Sequence, residues 1–454
     1  MKPFRVTIVH PCVGRKPGQS YIKTWQMESL PAATLAGLTP NDIEVKFYDD
    51  RLETVPVDEP TDLVAISVET YTAKRAYQIA SDYRARGVPV VMGGFHASLR
   101  PNEVARYAES VVIGEAEKIW GNLLDDARHG TLQKTYKGEG RPSLETMRPD
   151  RSIFRGKRYL PIGLVEAGRG CHLRCEFCAV QTVFERTQTR RPIDRILDEL
   201  RALKDHKRIF FFVDDNITSN ISQAKEFFRA LIPLKIRWVS QASINAAHDE
   251  EFLDLLVRSG CQGVLIGFES LNPANLTAMD KTFNMAKGGF EKALANLRRH
   301  KIRVYGTFIF GYDGDTPDSF KPTLEFAQHH GFYIAAFNHL TPFPGTPLYK
   351  RLEAEGRLLY EDWWLDERYS YNRIPFQPKG MSPEVLQREC LATRREFYSW
   401  RSIMRRSVDE VNRANGFMWR NFFGINAMHR GDVSLRDHYP LGDMAWQGTL
   451  LPAA

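Results

Sequence analysis

At 454 residues, 43% hydrophobic and 26% charged, the chain has the composition of an ordinary globular protein with two or three domains. The formal charge of +7 comes from acids and bases that are interspersed, and Arg190-Arg191 is too short a cluster to be a polybasic tail. This balance points to no nucleic-acid partner and suits an anionic small substrate equally well. No apolar run is long enough to span a bilayer, and Met1–Val9 starts like a strand without a signal peptide's long apolar stretch, so a cytoplasmic location is expected.

Strand-like and helix-like stretches alternate over residues 1–140. Buried strands are expected at Val6–Val9, Val45–Tyr48, Leu63–Ser67, Val88–Met92 and Val111–Ile113, with a helix over Thr72–Arg86 that stops at Gly87. This is the pattern of a doubly wound, Rossmann-like parallel sheet, which binds ligands beyond the carboxyl ends of its strands. Gly93-Gly94 and Gly114-Glu115 fall at that edge. Residues 141–159, rich in Gly, Pro and charge, read as a linker.

A second alternation fills residues 160–350. Its expected strands are Ile162–Ala167, Ile209–Val213, Ile236–Val239, Gly263–Phe268, Val304–Phe310 and Ile334–Phe337; helices are expected at Ile193–Lys204, Glu250–Ser259 and Phe290–His300. Six βα units predict a partial (β/α)6 barrel, with its working residues at the carboxyl ends of the strands. Residues 351–454 form an extension. A loop containing Asp362-Trp363-Trp364 wraps the barrel, Ser382-Pro383 opens a helix, and the tail through Arg430-Gly431-Asp432 is expected to be irregular.

Six cysteines are too few for a disulfide scaffold of this size, and three of them fall within eight residues. Arg169-Gly170-Cys171-His172-Leu173-Arg174-Cys175-Glu176-Phe177-Cys178 follows the first barrel strand directly, placing three thiolates in one loop at the barrel mouth. Soft thiolates suit zinc or an iron–sulfur cluster. Zinc needs a fourth ligand, and His172 is poorly placed between two of the cysteines. A [4Fe–4S] cluster held by three cysteines keeps one iron open, which the amino and carboxylate groups of S-adenosylmethionine (SAM) can chelate.

The C-x3-C-x2-C loop with an aromatic residue before its last cysteine resembles the radical SAM superfamily. Val91-Met92-Gly93-Gly94-Phe95-His96, Val112-Ile113-Gly114-Glu115-Ala116-Glu117 and Leu340-Thr341-Pro342-Phe343-Pro344-Gly345-Thr346 are similar to the subgroup with an N-terminal cobalamin-binding-type domain. The resemblance covers nearly the whole chain. It implies that Cys171, Cys175 and Cys178 hold the cluster. It also implies a small-molecule substrate and a reductase, flavodoxin or ferredoxin as electron donor.

Several strand ends offer groups for SAM. Asp214, Asp215 and Asn216 end the second barrel strand, where the resemblance implies contact with the SAM amino group; the same residue types also cap helices. Gln241 and Ser243 follow the third strand, and Glu269 follows the fourth, where the resemblance implies ribose or amino-acid binding. Gly306 starts a fifth strand suited to adenine packing. Arg190 and Arg191 are either contacts for an anionic group or a solvated pair.

The N-terminal domain lacks the Asp-x-His-x-x-Gly motif of proteins that ligate cobalt through histidine; His10-Pro11-Cys12-Val13-Gly14 has no Asp. Gly93 and Gly94 permit close backbone approach to a large cofactor, and they equally permit a tight turn. Cys12 is either a buried small hydrophobe or, at a sheet edge facing the barrel mouth, a soft ligand for a thiophilic substrate. Cys261 and Cys390 read as packing residues. With cobalamin, the resemblance implies methyl transfer to an unactivated carbon through a 5′-deoxyadenosyl radical. The alternatives are cobalamin-independent transfer of the 3-amino-3-carboxypropyl group to a soft acceptor such as trivalent arsenic, a radical rearrangement or cyclisation, and a non-enzymatic sensor.

Overall fold

The computed structural model describes residues 3–19 and 21–453; Met1 and Lys2, the first two residues of the expected N-terminal strand, lie outside them. Six parallel strands form the first sheet: β1 (Phe4–His10), β2 (Ile43–Asp49), β3 (Leu63–Ser67), β4 (Val90–Gly93), β5 (Ser110–Ile113) and β6 (Thr135–Lys137). Their order is β2-β1-β3-β4-β5-β6. The chain leaves β1 in opposite directions toward β2 and β3, so a crevice opens at their carboxyl ends. Helices α1 (Leu30–Leu38) and α3 (Trp120–His129) cover one face, and α2 (Ala73–Arg84) covers the other.

The second sheet is also parallel, in the order β14-β13-β12-β11-β10-β7, with β7 (Ile162–Val165), β10 (Ile209–Phe212), β11 (Trp238–Gln241), β12 (Cys261–Glu269), β13 (Arg303–Phe310) and β14 (Ile334–His339). A small antiparallel ribbon, β8 (Gly168–Gly170) with β9 (Gln188–Arg190), brackets the cysteine loop. Alternation along the strands separates two environments. Phe210, Phe212, Trp238, Val264, Phe268 and Phe308 are buried against the outer helices α4 (Ile193–Leu203), α5 (Ile221–Leu231), α6 (Glu250–Arg258), α7 (Gly289–Arg299) and α8 (Phe320–His329). Their neighbours Phe211, Val239, Leu265, Tyr305, Thr307, Ile309 and Ala336 remain partly exposed, and Asn338 is exposed. The lumen of this barrel is therefore open rather than filled by interlocking side-chain layers.

The sheet does not close, and β14 is an edge. Helix α9 (Pro383–Phe397) covers it: Arg394 Nε donates to the Phe337 carbonyl at 2.7 Å, and the Tyr398 hydroxyl donates to the Ala335 carbonyl at 2.9 Å. Capping edge carbonyls in this way removes a template for strand pairing. Ser382 caps α9 as the sequence indicates, accepting from the Val385 amide at 3.3 Å.

Three features differ from the sequence reading. The linker is not a free connector: the Asp150 amide donates to the Ala33 carbonyl at 2.8 Å, and Phe154 is buried in the first domain's core. The wrapping loop drives Trp363 and Trp364 into that same domain, fully buried. Arg430-Gly431-Asp432 is helical, inside α11 (Gly416–Arg436). Three glycines and a weak apolar stripe hide this helix in the sequence. Tertiary contacts hold it: Asn415 caps its start, and the Asp432 carboxylate accepts from the Thr24 hydroxyl at 2.5 Å.

Helix α10 (Trp400–Ser407) is bound to the barrel by Arg406, which is 1% exposed. Its guanidinium donates to the Phe332, Tyr333 and Phe397 carbonyls and to Asn426 Oδ1 at 2.9–3.2 Å, and it lies 3.9 Å from the centre of the Phe397 ring. No carboxylate shares the site, and burial pulls this arginine down to about 10. Arg406→Ala strands four buried acceptors. It is expected to cost roughly 3 kcal/mol in urea unfolding and to expose α10 and α11 to limited proteolysis.

Candidate functional site

Cys171, Cys175 and Cys178 line one cleft of about 190 Å³ at the barrel mouth, together with Asp215, Asn216, Gln241, Ser243, Glu269 and Lys281. Burial pushes the Cys175 thiol up to about 12, against the nearby positive charge of Lys281, and also raises Cys178. Thiols held in this way ionise when a metal takes the proton's place. Asn216 Nδ2 points at Cys171 Sγ from 3.6 Å and at the Ser243 hydroxyl from 2.8 Å. Among the described residues, no three His, Cys, Asp or Glu side chains are gathered for a single ion. A cuboidal cluster takes one thiolate per iron, so three thiols along a cleft wall fit it better than mononuclear zinc.

Opposite the cysteines, the end of β12 is strained. Register shifts between Gly267 and Glu269, and Glu269 takes a left-handed φ of 62°. The bulge folds the Glu269 carboxylate back over Gly267 and onto Lys281, with 2.6 Å between Oε1 and Nζ. A Cβ on Gly267 would sit 2.1 Å from that carboxylate oxygen, so only glycine leaves room for the pair. Burial works against charge on Lys281, but Glu269 outweighs it and the ammonium is held protonated. The cleft thus offers one buried cation and one buried carboxylate within reach of an amino acid's two termini.

A second cleft, of about 430 Å³, runs from this site into the first domain, and Asp215 lies on both walls. Ser67, Gly93, Gly94 and Gly114 form its mouth at the carboxyl ends of β3, β4 and β5, while Leu30, Leu35, Ala65, Val91, Val112 and Trp120 line its depth between the sheet and α1. Gly94 has φ 100°, and a Cβ there would meet the Val68 carbonyl at 2.8 Å. The two domains are joined beside this cleft by Arg169, the residue two before Cys171. Arg169 pairs with Glu115 at 3.0 Å, Glu117 at 2.7 Å and Glu166 at 2.7 Å.

Comparison with known proteins bears on this geometry. The family model "Radical SAM superfamily" matches residues 165–327. The chain is 34% identical to bacteriochlorophyllide d C-12(1)-methyltransferase of Chlorobaculum tepidum over 383 residues, 82% of this chain and 83% of that protein. The chain belongs to the radical SAM superfamily. It is 28% identical to bacteriochlorophyllide d C-8(2)-methyltransferase of the same organism, over 84% of this chain and 87% of the relative. Its fold is that of TsrM from Kitasatospora setae, a radical SAM methyltransferase solved with cobalamin and a [4Fe–4S] cluster: TM-score 0.65, 17% identity, covering 95% of this chain and 99% of that one. The chain is thus a radical SAM enzyme with an N-terminal domain of cobalamin-binding type. No helix among the described residues is long and apolar enough to cross a membrane.

Most expected site residues meet at the two clefts, and several do not. Gly306 faces the outer helices: a Cβ there would strike the Phe332 ring at 2.3 Å, and its neighbour Thr307 lines the cysteine cleft instead. Asp214 lies behind the wall, its Oδ1 accepting from the Ala167 amide at 2.8 Å and its Oδ2 without a partner. Cys12 is fully buried, its Sγ directed at the Gly14 carbonyl 3.3 Å away, and it reaches neither cleft. Arg190 and Arg191 line neither cleft and are not a solvated pair: Arg190 donates to the Ile217 carbonyl at 2.9 Å, and Arg191 is buried and pairs with Glu199 at 2.7 Å. Sequence reasoning missed Lys281 and Arg169 in these roles. Lys281 stands twelve residues beyond Glu269, and the short helix Pro273–Ala278 between them brings it back.

Two outcomes follow from the geometry. Alanine at Cys171, Cys175 or Cys178 is expected to remove bound iron and SAM cleavage together, as read by iron analysis and by 5′-deoxyadenosine formation. Gly267→Ala is expected to leave the cluster's visible absorbance intact while weakening SAM binding at least tenfold, because it displaces the Glu269–Lys281 pair and not the thiolates.

Asp214 gives a pH signature. Burial raises its carboxyl from 3.8 to about 7. The folded chain therefore holds a proton that the unfolded chain has released, and stability falls as pH rises between about 4 and 7. In thermal unfolding of the cluster-free chain, Asp214→Asn is expected to gain on wild type at pH 8 and to match it near pH 4.

Proposed function

We propose that this chain is a cobalamin-assisted methyltransferase acting on a largely apolar small molecule. The observation that carries the proposal is the continuous path from the cysteine-lined cleft, past Asp215, into a glycine-mouthed slot of the first domain. The slot is wide where side chains are missing and apolar at depth, which suits a large ring with an aromatic tail. When bound, the cluster would supply the electron that cleaves SAM, and cobalamin would carry the methyl group.

The protein's part is placement. Cys171, Cys175 and Cys178 hold the cluster. Lys281 receives the SAM carboxylate, while Asp215 and the Asn216 carboxamide face its amino end and Gln241, Ser243 and Thr307 border the ribose and adenine. Asp215 also accepts from the Gly170 amide at 2.7 Å, so it couples SAM binding to the backbone that leads into the cluster loop. Gly93 and Gly94 let the cobalamin ring approach the sheet edge. The substrate enters the open lumen, where Phe211, Leu265, Tyr305 and Ile309 offer apolar contact and Asn338 a polar one. The relatives named for bacteriochlorophyllide d support a substrate of that chemical character. With Cys12 away from both clefts, aminocarboxypropyl transfer to a thiophilic acceptor has no residue on the wall to favour it.

The test is anaerobic reconstitution with iron, sulfide and hydroxocobalamin, followed by SAM, dithionite and bacteriochlorophyllide d as first acceptor. Retained cobalt and formation of both S-adenosylhomocysteine and 5′-deoxyadenosine are expected. Cobalt that washes out of an active enzyme making methylthioadenosine would overturn the reading.

A further inference from the structure

The C-terminal extension carries a surface that neither cleft uses. Helix α10 buries Ser402, Ile403, Arg406 and Ser407 against the barrel and turns Trp400, Met404 and Val408 to solvent, 52%, 55% and 66% exposed. Spacing of four places these three along one stripe. The stripe continues onto the neighbouring helix: Trp419, 42% exposed, donates from its indole to the Ser407 carbonyl at 3.1 Å, beside Val408. Large exposed apolar residues clustered in this way mark a contact surface rather than ordinary surface scatter.

The charge around the stripe is of one sign. Arg401 and Arg405 flank it on α10, Arg430 lies 5.7 Å from the Trp400 ring centre, and Arg420 follows Trp419. Residues 394–436 contain nine arginines against four acids (Glu396, Asp409, Glu410, Asp432), a net +5 of the chain's +7. Among the described residues, Arg401, Arg405 and Arg420 have no ion pair, whereas exposed arginines elsewhere, such as Arg201, Arg258, Arg299 and Arg368, are paired with carboxylates. Asp409 and Glu410, the acids nearest the stripe, are already taken by Arg298 and Lys301.

We propose that this face docks the enzyme on an anionic phospholipid surface, the stripe dipping into the headgroup boundary and the unpaired arginines meeting lipid phosphates. A helix with an apolar stripe ending in tryptophan and bordered by arginines has the composition of an element that lies in the interface plane. Interfacial cations add to the attraction of an anionic leaflet, and this contribution is lost in salt. A nucleic acid would use the arginines but leave Met404 and Val408 in water. The inference is independent of the methyl-transfer reading, since it concerns a face away from both clefts.

The test is flotation of the cluster-loaded full chain with phosphatidylglycerol-containing vesicles and with pure phosphatidylcholine vesicles, at low and high salt. Binding to the anionic vesicles alone, reduced by salt, is expected. Met404→Glu with Val408→Glu should abolish it, as should Arg401→Glu with Arg405→Glu; these side chains are exposed, and unchanged thermal unfolding would verify that both variants fold. Brominated lipid should quench Trp400, identified by loss of that quenching in Trp400→Phe. Absence of flotation by the wild type would overturn the proposal. So would binding that survives Met404→Glu with Val408→Glu, which would mean charge adsorption alone, or a dimer in solution that the same variant dissociates, which would assign the face to a second copy.

Discussion

One guanidinium holds the two halves of the active site together. Arg169 is the middle residue of β8, two before the first cluster cysteine, and it binds carboxylates from both domains: Glu166 from the barrel, Glu115 and Glu117 from the loop after β5. Burial opposes its charge, but the three carboxylates outweigh that cost and raise it further. Removing Arg169 would leave Glu115, Glu117 and Glu166 close together without the cation they share. Arg141, from the linker, adds a second tie by pairing with Glu115, donating to the Thr187 and Thr189 hydroxyls and stacking on Phe184. The loop that carries the thiols is thereby fixed relative to the glycine-mouthed slot, not only to its own barrel.

The tie is made where the carboxyl edges of two parallel sheets meet. A parallel sheet gathers its functional loops at one edge, so two such sheets joined edge to edge share a single interior. The open lumen follows from the same arrangement. Strand alternation buries the aromatic residues outward, where Phe268, Phe308 and Phe332 pack with ring centres 5.1–6.3 Å apart. Stability is drawn from that outer layer, which frees the inward residues from packing. The unclosed side of the barrel is sealed by α9 and α11, and Trp25, Tyr71 and Tyr371 fill the seam with ring centres 5.0–5.1 Å apart.

The parts legible in the sequence were those set by local chemistry. The expected strands of both sheets follow from runs of β-branched and aromatic residues, and each end lies within two residues of where it was expected. The cysteine loop was legible because its spacing and its place after a strand are local. The irregular reading of the tail failed because α11 has no clear apolar stripe and is held by Asn415 and Asp432 through contacts far along the chain. Gly306 and Asp214 failed for a different reason. Side-chain direction alternates along a strand, so neighbours of correct residues face the wrong way. Thr307 lines the cleft where Gly306 was expected, and of the expected neighbours Asp214 and Asp215 only Asp215 reaches it. Lys281 was invisible because its partner is brought to it by a bulge, which no pattern of residue types announces.

Buried charge is handled differently in the fold and at the site. Arg406 is 1% exposed, and its donors meet carbonyl, amide and hydroxyl oxygens. Around the cysteine cleft the accounting is left open. Glu269 is held at a left-handed φ, and Asp214 keeps an oxygen without a partner just behind Asp215. The Cys175 thiol is driven upward by burial. The left-handed backbone at Glu269 and the unpaired Asp214 oxygen each cost the fold energy, and burial makes the Cys175 thiol harder to ionise. Glu269 and Cys175 line the cleft and Asp214 lies directly behind it, so these costs fall where the thiols and the Glu269–Lys281 pair are held for a ligand. A fold that draws its stability from the aromatic layer outside the sheet can carry such local costs at the barrel mouth.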